Sequence, residues 1–318
     1  LLSTHIRTRL ALEQAFQLNE DLLRIDLPQE ELRMEQARIA VELGRCSDAQ
    51  AHLLILQKLR EDSAEVWYLS AHCAKEARKT DEAVRFYQQA LNCPNPPERA
   101  FGELALLAKA NPHLMLDSDG LLDQMVTVCN SAESRRLRAM AFSEQNRIAE
   151  ALPHVWKGLE SAPDDIGLNA ILVNCLQLSD TSGKPQSGSF QTPANTNNAD
   201  LLKGIRHLQD CVERIPKESA FRIQLAALLW KNQQQAEAIG ILETGIRHNS
   251  RAFPLHSALL EYLLTQEQTD KAERLLRSLP ANALPKAERE LLNGRAQLLR
   301  QEWKNADVAF QRAIAYAD

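Results

Sequence analysis

The chain has 318 residues, of which 44% are hydrophobic and 25% charged, the make-up of a folded protein, and this excludes wholesale disorder. Its 37 Lys and Arg against 42 Asp and Glu leave a net charge of −5, so no overall basic excess points to nucleic acid. Its 11 glycines are too few for a fold built from many tight β turns.

The chain begins at Leu1 rather than Met and reads as a segment of something longer. Its first residues mix apolar side chains with Arg7, Arg9 and Glu13, so no signal-peptide apolar region forms, and no apolar run approaches a membrane span. A helix is predicted from about Leu10 to Ile25. Beyond it small residues recur at a fixed period. Ala49 and Ala83 are 34 apart, Ala151 follows 68 later, and Gly204, Ala238, Ala272 and Ala306 are again 34 apart. The one irregular step, from 151 to 204, exceeds 34 by 19. The 19 residues from Ser179 to Asn197 are poor in apolar residues and rich in Ser, Thr, Gly, Pro and Asn, and read as a flexible inserted loop whose Phe190 is a candidate lid.

Each marker is followed by packing residues four and seven positions on, such as Tyr87 and Ala90 after Ala83, or Leu242 and Gly245 after Ala238. That spacing sets three residues on one face of a helix. A second amphipathic stretch lies upstream of each marker, separated from it by polar residues such as Arg78 to Asp81 or Gln233 to Gln235. The predicted unit is therefore two helices and a turn per 34 residues. Copies are predicted to begin near Glu30, Ala64, Glu98, Ala132, Ile166, Ser219, Phe253 and Ala287. The helix before them, with Ala15 at the marker place, reads as the end of a partial copy. The copy from Glu98 departs most, because Asn111-Pro112 breaks its first helix and Asp117 and Gln124 replace its small residues. The predicted organisation is N-terminal helices over 1–29, a repeat array over 30–178, the loop over 179–197 and a second stretch of array over 198–318.

On these residues the chain resembles the tetratricopeptide repeat family. In the copy from Ala64, Trp67, Ser70, Ala71 and Ala74 stand at the signature places of the first helix, and Ala83, Tyr87, Ala90 and Pro94 at or near those of the second. Pro163 and Pro216 close two other copies. The resemblance implies an all-α fold, an α-α superhelix or solenoid of tandem helix-turn-helix units, with first helices lining an inner groove. It assigns places 2, 5, 9, 12 and 13 of each copy to that groove. These hold Tyr68, His72 and Lys75; Arg99 and Lys109; Arg136, Met140 and Ser143; Asn174 and Gln177; and, after the insertion, Ile223, Trp230 and Lys231. Cations, amides and large apolar side chains together suit an extended peptide. Arg135, Arg136 and Arg138 are either an anion-binding patch or partners of nearby acids, and Trp230 is either an anchor or core. The two-carboxylate clamp by which some family members hold chaperone tails is not expected, since His72 and Met140 stand where Asn would be needed.

No catalytic constellation emerges. There is no G-x-x-x-x-G-K-[ST], G-x-G-x-x-G, His-Glu-x-x-His or His-x-Asp, the eight histidines are scattered, and none of the six cysteines forms a Cys-x-x-Cys. Asp164-Asp165 reads as a helix cap. The expectation is a cytoplasmic protein-protein interaction scaffold that is not an enzyme, with no cofactor, metal, nucleic acid or membrane. Its partner would be a protein, a peptide or another domain of the same chain, and self-association through a terminal face is a further possibility. The alternative is the helical arm of a larger enzyme, such as a sulfotransferase, glycosyltransferase or 2-oxoglutarate/iron oxygenase, with continuation or a partner beyond Asp318.

Overall fold

The structure is a computed structural model that describes residues 2–23, 30–179, 195–280 and 283–317, with side chains described outside 2–7 and 195–197. Nearly all of the inserted loop predicted over 179–197 lies outside the described residues. A single helix, α1 (Leu2–Leu23), is followed by eight helix pairs. In order they are α2 (Glu30–Glu42) with α3 (Cys46–Leu59), α4 (Ala64–Glu76) with α5 (Thr80–Asn92), α6 (Glu98–Ala110) with α7 (Ser118–Cys129), and α8 (Ala132–Glu144) with α9 (Ile148–Ser161). Then come α10 (Ile166–Leu178) with α11 (Asn195–Arg214), α12 (Ser219–Lys231) with α13 (Gln235–His248), α14 (Phe253–Thr265) with α15 (Thr269–Ser278), and α16 (Lys286–Leu299) with α17 (Trp303–Ala317). No strand occurs among the described residues, and the fold is an all-α helical-repeat solenoid. Seven first helices begin at the residue the period predicts, and the eighth begins one residue early, at Lys286. The helix predicted from Leu10 starts already at Leu2.

The packing explains the period. Ala49, Ala83, Ala151, Ala238, Ala272 and Ala306 are all buried, and the residues four places on, among them Leu53, Tyr87, Val155, Leu242 and Leu276, fill the space between helices. Each such side chain contributes about 1.5–3 kcal/mol on leaving water. Where glycine stands at a packing place, the reason is a close approach. A Cβ at Gly204 would lie 2.6 Å from Leu176 Cδ1 and 3.1 Å from Leu228 Cδ1. At Gly294 it would lie 2.7–3.1 Å from three ring atoms of Phe310.

The turns inside the pairs obey the same period. Gly44, Arg78, Asn146, Gln233, Glu267 and Gln301 all have positive φ, between 58° and 75°. In each case this residue donates its N–H to the carbonyl three residues back, and the next residue donates to the carbonyl five back. Arg78 bonds Lys75 O at 2.9 Å and Lys79 bonds Ala74 O at 2.9 Å. This double bond pattern ends the first helix and satisfies its last carbonyls.

The copy from Glu98 is irregular, but Asn111-Pro112 does not cut its first helix short: α6 has 13 residues, as α4 has, and the irregularity lies after it. After α6 a short 3₁₀ turn, Pro112–Leu114, leads through Met115 in a left-handed backbone conformation to α7. Asp117 does not pack inward; it caps α7, accepting the Gly120 N–H at 3.0 Å. The buried residues of α7 are Leu122, Met125 and Val126, so its packing face falls one residue later than the period places it. Only Asn130 and Ser131 then separate α7 from α8, which returns to frame at Ala132.

Packing divides the chain into two compact units, 1–138 and 139–318. In unit 1, Phe16 of α1 joins Met34, Ile39, Leu53 and Leu56 in one cluster, and Tyr87 centres a second with Ala71, Ala90 and Leu104. In unit 2 the largest fully buried side chains include Leu168, Leu172, Leu208, Phe221 and Leu225.

Candidate functional site on the first-helix faces

In unit 1, α4 carries Tyr68, His72 and Lys75 one turn apart. The Lys75 ammonium donates to Glu103 of α6 at 2.7 Å. The Tyr68 ring lies 6.1 Å from that of Tyr87, whose hydroxyl is buried with no hydrogen-bond partner among the described residues and whose pKa burial pushes up. His72 is half-buried. Arg99 and Lys109 stand exposed on α6. Arg136 forks onto Glu133 of its own helix at 2.6–2.9 Å. Of the arginines beside it, Arg135 donates to Asn130 at 2.8 Å, and Arg138, only 3% exposed, is clamped by Asp119 at 2.6 Å and Asp123 at 2.8 Å. The three charges thus already have partners nearby.

In unit 2, Met140 is exposed, and Asn174 of α10 donates to Ser143 of α8 at 2.9 Å. Trp230 of α12 stacks on Tyr262 of α14, with ring centroids 4.4 Å apart and planes within 21°. The Lys231 ammonium is held at the C-terminus of α10, where it donates to the Leu176 carbonyl and to that of Gln177 at 2.9 Å, in place of the N–H groups a helix end lacks. A common pattern emerges. Lys75, Asn174, Trp230 and Lys231 each tie one first helix to the next, as Arg38 and Glu65 also do between α2 and α4 at 2.5–2.6 Å.

Ile223 is different. With Phe253, Pro254, Ser257 and Ala258 of α14 it lines an open recess of about 440 Å³. Ala283, Leu284 and Pro285, leading into α16, and Glu288 complete the wall. Three successive first helices therefore meet at one mostly apolar hollow, whose charged lining group is Glu288. The Ser257 hydroxyl donates to the Glu288 carboxylate. Of the residues lining the recess, sequence reasoning had named only Ile223. Yet Ser257 is 34 residues after Ile223, and Glu288 is 34 after Pro254. Places 5 and 2, carried two copies further, would have found them.

One cluster has the residue types of nucleophilic catalysis. His207 Nε2 lies 3.0 Å from Asn169 Oδ1 and 3.6 Å from Cys211 Sγ. Both contacts fall on the same ring nitrogen. Donating its proton to Asn169, that nitrogen cannot also take the proton of the thiol. Cys211 is fully buried, and burial pushes its thiol pKa up. The cluster is suited to joining α10 to α11. Of the acids at the start of α10, Asp165 caps the helix, accepting the Leu168 N–H at 2.7 Å, and Asp164 pairs with Arg214 at 2.7 Å. Among the described residues no three His, Cys, Asp or Glu side chains gather as a metal site, and no helix is long and apolar enough to cross a membrane.

No family model and no curated protein matches the chain. Among solved structures it is similar to a tetratricopeptide repeat protein from Parabacteroides merdae, at 14% identity over 80% of this chain and 93% of that one, with a TM-score of 0.55. It is also similar to a chain of the Cut9-Hcn1 hetero-tetramer of APC/C, at 13% identity over 98% of this chain and 54% of that one, with a TM-score of 0.43. A third similar structure is human IFIT1 with m7Gppp-AAAA, at 14% identity over 96% of this chain and 77% of that one, with a TM-score of 0.45. At such identities likeness concerns fold alone. The first of these structures, with the period, the packing faces and the repeated turns, defines the fold: a helical-repeat solenoid similar to that of the tetratricopeptide repeat protein.

Proposed function

We propose that the chain is an interaction scaffold that binds an extended segment of a partner protein on the first-helix face of unit 2, without making or breaking bonds. The observation that carries this reading is the recess between α12, α14 and α16, whose apolar wall would desolvate a partner's side chains while Ser257 and Glu288 supply polar contacts. The free state of all six cysteines supports a reducing, cytoplasmic setting.

The test is a photo-cross-linking amino acid placed at Ala258 in the recess or at Arg85 on the exposed side of α5. After irradiation in cell extract, a defined adduct from position 258 and none from position 85 is the expected result. Equal adducts from both positions, or none from 258, would overturn the assignment of this face.

A further inference from the structure

We infer that the recess of unit 2 receives the side chain of a lysine or arginine in the bound segment, with Glu288 as its counter-charge. The inference rests on the peptide-binding reading above and names the residue that the site selects.

Four glutamates occupy the second place of a repeat: Glu31, Glu65, Glu133 and Glu288. Three of them hold an arginine. Glu31 meets Arg60 at 2.5 Å, Glu65 meets Arg38 at 2.5 Å, and Glu133 meets Arg136 at 2.6 Å. Glu288 has no cationic partner among the described residues, and its neighbour is the neutral hydroxyl of Ser257. The nearby cations are engaged elsewhere. Arg289 donates to the Leu279 and Pro280 carbonyls, Arg295 pairs with Glu261, and Lys286 lies over the Tyr316 ring.

The rest of the wall fits the same guest. Ile223, Phe253, Pro254 and Ala258 offer aliphatic and aromatic surface leading to the carboxylate. Lys and Arg are the side chains that combine a stem of three or four methylenes with a cationic head. A purely apolar guest would leave Glu288 unpaired in a partly desolvated rim, and an acidic guest would be repelled. Glu288 also sits in the first turn of α16, where the helix N-terminus favours a carboxylate. That accounts for a stable glutamate there, but not for an apolar channel beside it.

The test uses the full chain, isotope-labelled, titrated by NMR with acetyl-Ala-Leu-Xaa-Leu-Ala-amide in which Xaa is arginine, norleucine or glutamate. The expected result is that the arginine peptide shifts the amides of Ser257, Ala258 and Glu288 and binds about three- to tenfold more tightly than the norleucine peptide, with glutamate weakest. Glu288→Gln should make arginine and norleucine equal, and Glu288→Lys should turn the preference toward glutamate, with circular dichroism showing both variants folded. Equal binding of arginine and norleucine at the recess of the unmodified chain would overturn this inference while leaving the peptide site standing. Absence of shifts at the recess with any of the three would overturn both.

Discussion

Two glycine-to-alanine substitutions, both within helices, should move stability in opposite directions. Gly240 lies inside α13 with nothing within 4 Å of the position its Cβ would take. Alanine there should gain about 1 kcal/mol, the ordinary helix preference over glycine. Gly294 lies inside α16 against Phe310, whose ring atoms would be 2.7, 2.8 and 3.1 Å from a new Cβ. Carbon atoms rest about 3.5–4 Å apart, so the ring must move by close to an ångström, and such overpacking costs about 1–3 kcal/mol. After the helix gain is subtracted, the two variants should differ by about 1–3 kcal/mol. Urea unfolding followed by circular dichroism would read the difference, and hydrogen exchange in α16 and α17 would localise it, since a repeat array need not unfold in one step. The double variant Gly294→Ala/Phe310→Leu should recover part of the loss. Equal stabilisation by both single substitutions would refute the argument that close helix approach dictates the small residue.

The turns, a buried ion pair, a histidine and the thiols yield the remaining predictions. Arg78→Gly and Gln233→Gly should each raise stability by up to about 1 kcal/mol in thermal melts, since non-glycine residues hold the left-handed conformation at a cost; a loss at both positions would contradict this. Asp119→Asn with Asp123→Asn takes two carboxylate charges from the buried guanidinium of Arg138 and should cost about 2–3 kcal/mol in unit 1, whereas a change under half of that would show the two acids to be dispensable. His207 is held below the ordinary histidine value of about 6.5, first by burial and then by Arg214, so the unfolded chain binds the proton more readily. Its contribution to stability is complete above that value and is lost as pH falls through the folded one, so His207→Gln should flatten the acid limb of unit 2's melting curve, and an unchanged limb would place the titrating group elsewhere. In the native protein a thiol reagent should spare buried Cys73, Cys175 and Cys211 until urea is added; rapid modification of all six cysteines would contradict their burial.

The fold was legible because one contact recurs. A small residue facing a large one every 34 positions leaves a trace that needs no conservation to be seen, and it located first-helix starts to within a residue. The pair from Glu98 was visible as irregular, but not how it resolves, because the slide of Leu122 and Met125 into the packing face depends on what α6 offers them. Glycine content gave no hint of the turns, since Gly44 alone among the nine positive-φ positions of the described residues is a glycine. The candidate site was harder to read. Place numbers identify which residues share a face, but they cannot tell a side chain that reaches a partner from one that ties its own helix to the next. Lys75 and Lys231 looked available in sequence, and their carboxylate and carbonyl partners lie 28 and 54 or more residues away. The recess needed three copies read together, and its polar members are Ser and Glu, which draw no notice singly.

The one-residue slide of α7, undone by the time α8 begins, has a bearing on how such a chain tolerates change. Each first helix starts the count afresh, so an added or lost residue in a second helix is absorbed by the following connection. The array behaves as a text with regular punctuation: a misspelling spoils one word, and the next sentence opens on time. Insertions between helices should therefore be local in effect, and this chain offers a natural place to graft a foreign segment, the stretch between Ala110 and Ser118, where the frame is already broken and already mended.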